Sequence, residues 1–347
     1  MDRPSRDVAR ERCYRIGLVE LSGLECGPAE APKGIVLALH GSGYLGRYWD
    51  YPLDPSCSLL RLGGALGYRV IAIDRPGYGR SRAADADATR LEAQARILGD
   101  LIGQLHEECR PAPIFLIGHS LGSLLAVRLA AREGAAHVAG VDVTGLPVRW
   151  RTDVRDEVES DSDRFGSSLR DVRRRVALFY GPPGTYDPRV IAAESKFTHR
   201  IPRTEMRDSL ASPEILRTLA PDVRVPLQST VAEYERTITG GQRSVDENRA
   251  LFSASPRSVA RLQPGAGHNV SLHRVSGEYH RQALAFFDEI RSALTPGGPG
   301  PGPSFEAALL SPGETVTPRR SPPGPHARTR PRRCARAEPR SGRSWPP

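Results

Sequence analysis

The stretch Ile114-Phe-Leu-Ile-Gly-His-Ser120-Leu-Gly-Ser-Leu-Leu-Ala-Val-Arg128 decides how the rest of the chain is read. Its apolar start, residues 114–117, has the length and flanks of a buried strand. Gly118-His-Ser-Leu-Gly122 follows at once, and then a run of helical character through Leu124, Leu125, Val127 and Leu129. The pattern is G-x-S-x-G between a strand and a helix, the context that separates a sharp nucleophile turn from a chance match. To pass from strand to helix within one residue, Ser120 must take a strained backbone conformation that lifts its hydroxyl out of the turn. Gly118 and Gly122 are required because a Cβ at either place would meet the crossing strand and helix. The N–H of Leu121 then opens a helix and points to where an oxyanion would form.

Such a turn needs a second N–H donor, a base and an acid, and the flanking chain offers candidates. Residues 34–39 are a continuous apolar run, as in a central parallel strand, and lead straight into His40-Gly41-Ser42-Gly43. Glycines on both sides of a small residue let backbone approach a substrate oxygen, so the N–H of Ser42 is the candidate second donor. Residues 68–73 repeat the buried pattern and end in Asp74-Arg-Pro-Gly-Tyr-Gly-Arg-Ser81. There the Asp74 carboxylate is expected to fix the loop by accepting backbone N–H groups. Helical spacing covers 58–66 and 89–109, and 138–143 is a further strand that contains Asp142, one candidate acid. Alternation of this kind predicts a parallel α/β sheet with helices on both faces.

The pattern changes between 149 and 222, which is rich in Arg and Asp and holds short amphipathic pieces at 168–180, 188–197, 203–210 and 213–219. No strand run appears there, and a helical lid over the carboxyl ends of the strands is expected. A polar strand at 225–232 ends in Glu233-Tyr-Glu235; a helix at 245–252 and a last strand at 258–262 follow. Pro264-Gly-Ala-Gly-His268-Asn is a glycine-rich loop, and 277–294 is a closing helix. With an edge strand at 14–22, the expected division is a polar leader at 1–13, core at 14–148, lid at 149–222, core again at 223–294 and a disordered tail at 295–347.

Net charge is +9 over 347 residues, yet the last 53 residues hold nine arginines against three acids and thirteen prolines. Two thirds of the surplus is therefore in the tail, and no nucleic-acid partner is expected. No segment approaches the roughly 18 apolar residues of a membrane helix, and the charged N-terminus lacks an apolar signal core. A cytoplasmic protein without a membrane partner is the expectation. Five scattered cysteines without a C-x-x-C pattern suggest free thiols and neither a disulfide framework nor a zinc site.

Nucleophile, acid and base are available in the order Ser120, Glu235, His268, with Glu233 as a competitor for the acid. His268 would take the Ser120 proton, and the carboxylate would hold the other ring nitrogen protonated. At this point the sequence resembles the α/β-hydrolase fold superfamily, in its branch with a helical cap. The resemblance rests on His40-Gly-Ser-Gly43, residues 74–81, Gly118-His-Ser-Leu-Gly122, Glu233-Tyr-Glu235 and Gly265-Ala-Gly-His268, and it spans residues 14–294. It implies a mostly parallel doubly wound sheet, Ser120 as nucleophile, His268 as base and Glu235 as acid, where the family more often has Asp. His40 and Gly41 would shape the oxyanion loop of Ser42, and His119 would pack near the elbow. His199, His273 and His280 have no partnered motif and are expected to be structural.

The leading expectation is a serine hydrolase that cleaves a carboxylic ester, thioester or lactone of a small acyl substrate through an acyl-enzyme, without metal or organic cofactor. Competing readings are an acyltransferase or a tailoring lyase or cyclase on the same fold, and a binding protein that keeps the pocket without turnover.

Overall fold

Short segments dense in Val, Ile and Leu make the centre of one eight-stranded sheet, in a computed structural model that describes residues 8–81 and 87–294. Its order is β1-β2-β4-β3-β5-β6-β7-β8, with β1 (Arg10–Ile16) and β2 (Val19–Cys26) antiparallel and the rest parallel. The parallel strands are β3 (Ile35–Leu39), β4 (Arg69–Ile73), β5 (Ile114–His119), β6 (Val138–Thr144), β7 (Leu227–Tyr234) and β8 (Ser258–Gly267). Strands β3, β4, β5 and β6 are buried at every residue, as expected where helices cover both faces. The pleat divides them. Ile35, Leu37 and Leu39 join the core under α2 (Leu91–Cys109) and α3 (Leu121–Arg128). Val36 and Ala38 join the core under α1 (Leu59–Ala65) and α11 (Ser276–Leu294).

Between β6 and β7 the chain leaves the sheet as six helices. These are α4 (Thr152–Ser160), α5 (Ser162–Ser168), α6 (Val172–Phe179), α7 (Pro188–Ala193), α8 (Arg203–Leu210) and α9 (Ser212–Leu219). Helix α10 (Gly241–Leu251) then connects β7 to β8. The doubly wound, mostly parallel sheet with an inserted helical segment is as the sequence predicts.

Several details differ from the sequence reading. Residues 14–22 are a hairpin and not one strand: Gly17, at φ +57°, turns the chain between β1 and β2. Each arm alternates with period two, so the pair reads as one run. Strand β1 also begins at Arg10, inside the expected leader; it is an edge strand, where charge is tolerated, and Arg12 reaches Glu25 at 3.4 Å. Strand β8 runs through Pro264 to Gly267, residues disfavoured in an inner strand but admissible at this edge. Helices α4 and α5 were not evident in the sequence because only Val154, Val158 and Phe165 among their charged residues turn inward. The expectation of free thiols holds for Cys57 and Cys109, whereas Cys13 is disulfide-bonded. The tail at 295–347 lies outside the described residues.

Candidate active site

Ser120 stands between the end of β5 and the start of α3 with φ +53° and ψ −121°, a conformation rarely adopted by a residue with a Cβ. Its N–H donates to the Thr144 carbonyl at 2.8 Å, and the Ser123 hydroxyl donates to the same oxygen at 2.8 Å, so the turn is tied to β6. A Cβ on Gly122 would lie 2.2 Å from the Leu39 carbonyl oxygen, and one on Gly118 would lie 2.6 Å from that of Gly122. The close approach of strand and helix thus depends on both glycines. Leu121 is the first residue of α3, so its N–H has no acceptor within the helix.

His268 follows β8 and is buried. Its Nδ1 lies 2.8 Å from Glu235 Oε2 and 3.0 Å from the Thr237 hydroxyl. The other oxygen, Oε1, accepts the N–H of Arg236 at 2.9 Å, the N–H of Thr237 at 2.9 Å and the Thr237 hydroxyl at 2.7 Å. With that oxygen saturated, Oε2 is left for the imidazole, and Nδ1 carries the proton. Burial pushes the Glu235 carboxyl up, but the His268 ring and the bonds from His268 and Thr237 outweigh it and hold the group below the usual carboxylate range. The structure therefore brings Glu235 to the ring. Glu233 instead accepts the Gly265 N–H at 2.8 Å. Asp142 is not brought there either: it is buried within β6, where the Tyr279 hydroxyl donates to it at 2.7 Å and Gln228 at 2.6 Å.

Ser42 lines the same cavity as Ser120, Leu121 and His268. Its loop is shaped by His40, whose Nδ1 donates to the Gly41 carbonyl at 2.8 Å and whose Nε2 accepts the Arg75 N–H at 3.0 Å. Burial, then the Arg75 charge, keeps His40 well below the ordinary histidine pKa. A Cβ on Gly41 would lie 2.7 Å from His119 Nδ1. His119 stacks on Tyr48 with ring centres 4.6 Å apart, and its Nε2 donates to the His268 carbonyl at 3.0 Å. Burial foremost keeps it neutral. Asp74 accepts the Gly46 N–H at 2.8 Å and the Ser22 hydroxyl at 2.7 Å, the loop-fixing use expected of it.

Sequence reasoning missed four contributors. Thr237 bridges acid and imidazole, and a lone Thr after a Glu gives no signal. Gly145, at φ +62°, leaves room for the imidazole: a Cβ there would be 2.8 Å from His268 Cε1. His273 Nε2 accepts two N–H groups, from Gly267 at 2.9 Å and from Gly181 at 3.0 Å, while the Asn269 N–H donates to the Phe179 carbonyl at 2.9 Å. Those bonds join the loop carrying His268 to the chain leaving α6. Finally, Arg75 and Glu205, both fully buried, pair at 2.9 Å between the loop after β4 and α8.

In chemical terms, the arrangement offers a hydroxyl on a strained turn and an imidazole with its tautomer fixed by a carboxylate, and Ser42 and Leu121 line the same cavity. Residues 35–285 match the profile of the alpha/beta hydrolase family. The chain is 32% identical over 139 residues to the magnesium-chelatase 30 kDa subunit of Rhodobacter capsulatus, covering 40% of this chain and 43% of that one. It is 28% identical over 107 residues to protein phosphatase methylesterase 1 of Mus musculus, covering 31% of this chain and 26% of that one. The matches thus span less than half the length of either relative. In fold it is similar to a putative lipase from Acinetobacter baumannii, with a TM-score of 0.62 at 16% identity over 81% of this chain and 92% of that one.

Proposed function

Because this chain belongs to the alpha/beta hydrolase family, we propose that it hydrolyses a carboxylic ester, thioester or lactone through an acyl-enzyme on Ser120. The observation that carries the reading is the His268–Glu235 pair at 2.8 Å, beside a serine held at φ +53°. A ring whose Nδ1–H is held by a carboxylate presents the lone pair of Nε2 as a general base. In this mechanism His268 takes the Ser120 proton as Oγ attacks the acyl carbonyl. The N–H groups of Ser42 and Leu121 receive the oxyanion, and the imidazolium protonates the leaving alcohol or thiol. Water then attacks the acyl-enzyme with His268 again as base, releasing the acid and restoring Ser120. A relative named as a methylesterase agrees with ester chemistry.

The test is direct. A fluorophosphonate should label the wild-type protein and not Ser120→Ala, and Ser120→Ala should lower kcat for a p-nitrophenyl ester by about 10³-fold or more. Unchanged turnover in Ser120→Ala would remove the mechanism.

A further inference from the structure

We infer that the site takes esters of short, uncharged acyl groups, and that Met206 on α8 sets this limit. The inference rests on the hydrolase reading above and adds the class of substrate.

The first argument is size. The cavity over Ser120 has a volume of about 50 Å³. Sites that enclose drug-sized ligands run to about 300–1,000 Å³, so this one suits only a short group. The acyl group stays on the enzyme through both half-reactions, whereas the alcohol leaves after the first, so the cavity bounds the acyl part most strictly.

The second argument is polarity. Trp150, Phe165, Phe179, Ile201 and Met206 line the cavity with Ser120, and no Asp, Glu, Lys or Arg is among the described lining residues. His119, which also faces the cavity, is kept neutral by burial. A carboxylate at the end of an acyl chain would lose its water here and find no cation in return.

The third argument is rigidity, because a longer chain would need α8 to move outward. Glu205 receives Arg75 through two bonds, at 2.9 and 3.0 Å, and the Tyr78 hydroxyl at 2.5 Å. Gln94 donates to the same carboxylate at 3.3 Å. One turn on, Asp208 accepts the N–H of Leu91 at 2.7 Å. Leu91 opens α2, and the preceding Arg90 gives that helix no side-chain cap, so the lid supplies it. The Trp150 indole donates to the Ser209 carbonyl at 3.1 Å. Displacing α8 would separate a buried ion pair and uncap α2 together. Met206, which lines the cavity, is the next residue after Glu205, so the same anchorage that holds the pair holds this part of the wall.

The experiment measures kcat/KM of the full-length protein on p-nitrophenyl acetate, butyrate, octanoate and hemisuccinate, with Ser120→Ala as blank. Butyrate should exceed octanoate and hemisuccinate by about tenfold or more. Met206→Ala should raise octanoate relative to butyrate by about tenfold, and Met206→Phe should lower butyrate relative to acetate by a similar factor. Wild-type protein that cleaves octanoate or hemisuccinate as well as butyrate, with Ser120→Ala inert, would overturn the inference and leave the hydrolase reading intact. Folded Met206→Ala and Met206→Phe with the wild-type profile would overturn the role of Met206; if Met206→Ala does not fold, Met206→Phe decides. No cleavage of any ester, together with no fluorophosphonate label, would overturn the hydrolase reading itself.

Discussion

Glu235 reaches its histidine with a side chain one methylene longer than the aspartate more usual in such arrangements. The extra length is accommodated because the chain turns back after it, so that Arg236 and Thr237 present their N–H groups to Oε1. Thr237 has a double part, since its hydroxyl donates to the acid and lies 3.0 Å from the imidazole. Replacing it by valine keeps the shape and removes the hydroxyl. Thr237→Val should cost about 1.5–3 kcal/mol of stability in a urea melt, the range for a hydrogen bond to a charged group. On the proposed mechanism it should also lower kcat by about tenfold with little change in KM. Gly145 acts on the ring from the other side. Gly145→Ala puts a methyl 2.8 Å from Cε1 and should reduce kcat by about 100-fold, the scale expected when a reacting group is misplaced by about 1 Å. A Gly145→Ala enzyme with wild-type kcat would show that the ring has freedom that the packing denies it.

At the scale of elements, the elbow and the lid anchor make different demands. In Gly122→Ala the new methyl would meet main-chain oxygen of β3 at 2.2 Å, and no side-chain rotation relieves that. The variant should lose activity and fall by several degrees in Tm together. In Glu205→Gln the shape stays, but Arg75 loses its counter-charge where neither side chain sees water. A loss of about 3–5 kcal/mol is expected by denaturant titration, as for a buried pair broken from one side. The two features also differ in how far they could be read from sequence. A strand that ends at a glycine, then a serine, then a helix leaves a local record, and so do the glycines around Ser42 and before His268. The Arg75–Glu205 pair joins residues 130 apart, each an ordinary charged residue in its own neighbourhood. Helices α4 and α5 were missed for a related reason: they pack on each other and on α8, and the periodicity of their few inward apolar residues is diluted by charge. The short strand ends and edge hairpin were misjudged because edge strands accept residues that inner strands exclude.

For the molecule as a whole, buried histidines govern the response to acid. His40 and His119 are held well below the ordinary histidine pKa, chiefly by burial, and His273 and His280 are pushed down to about 4 for the same first cause. In the unfolded chain these rings protonate near 6.5. The native state keeps them neutral, so stability is full above that pH and is lost as pH falls towards 4. The slope is about 1.4 kcal/mol per pH unit for each histidine. Four acting together would exhaust a typical folding free energy of about 5–15 kcal/mol within two or three pH units. Midpoints from urea melts should therefore fall steeply between pH 6.5 and 4.5 and be flat from 7 to 8. A midpoint that does not change between pH 7 and 5 would mean that these rings protonate without unfolding.

The bonds from Gly181 and Gly267 to one nitrogen of His273, with the Asn269 N–H on Phe179, bear on how a chain of this kind can be altered. Selectivity and reactivity look separable on paper, one in the inserted helices and the other in the sheet. Here the exit of α6 is part of the seat of the imidazole. A graft that replaced residues 149–222 by a foreign cap would remove half of that seat and loosen the loop that carries His268. New specificity in this protein is therefore accessible by exchange of single wall residues, and wholesale transplantation succeeds only if the backbone from Phe179 to Gly181 is carried across unchanged.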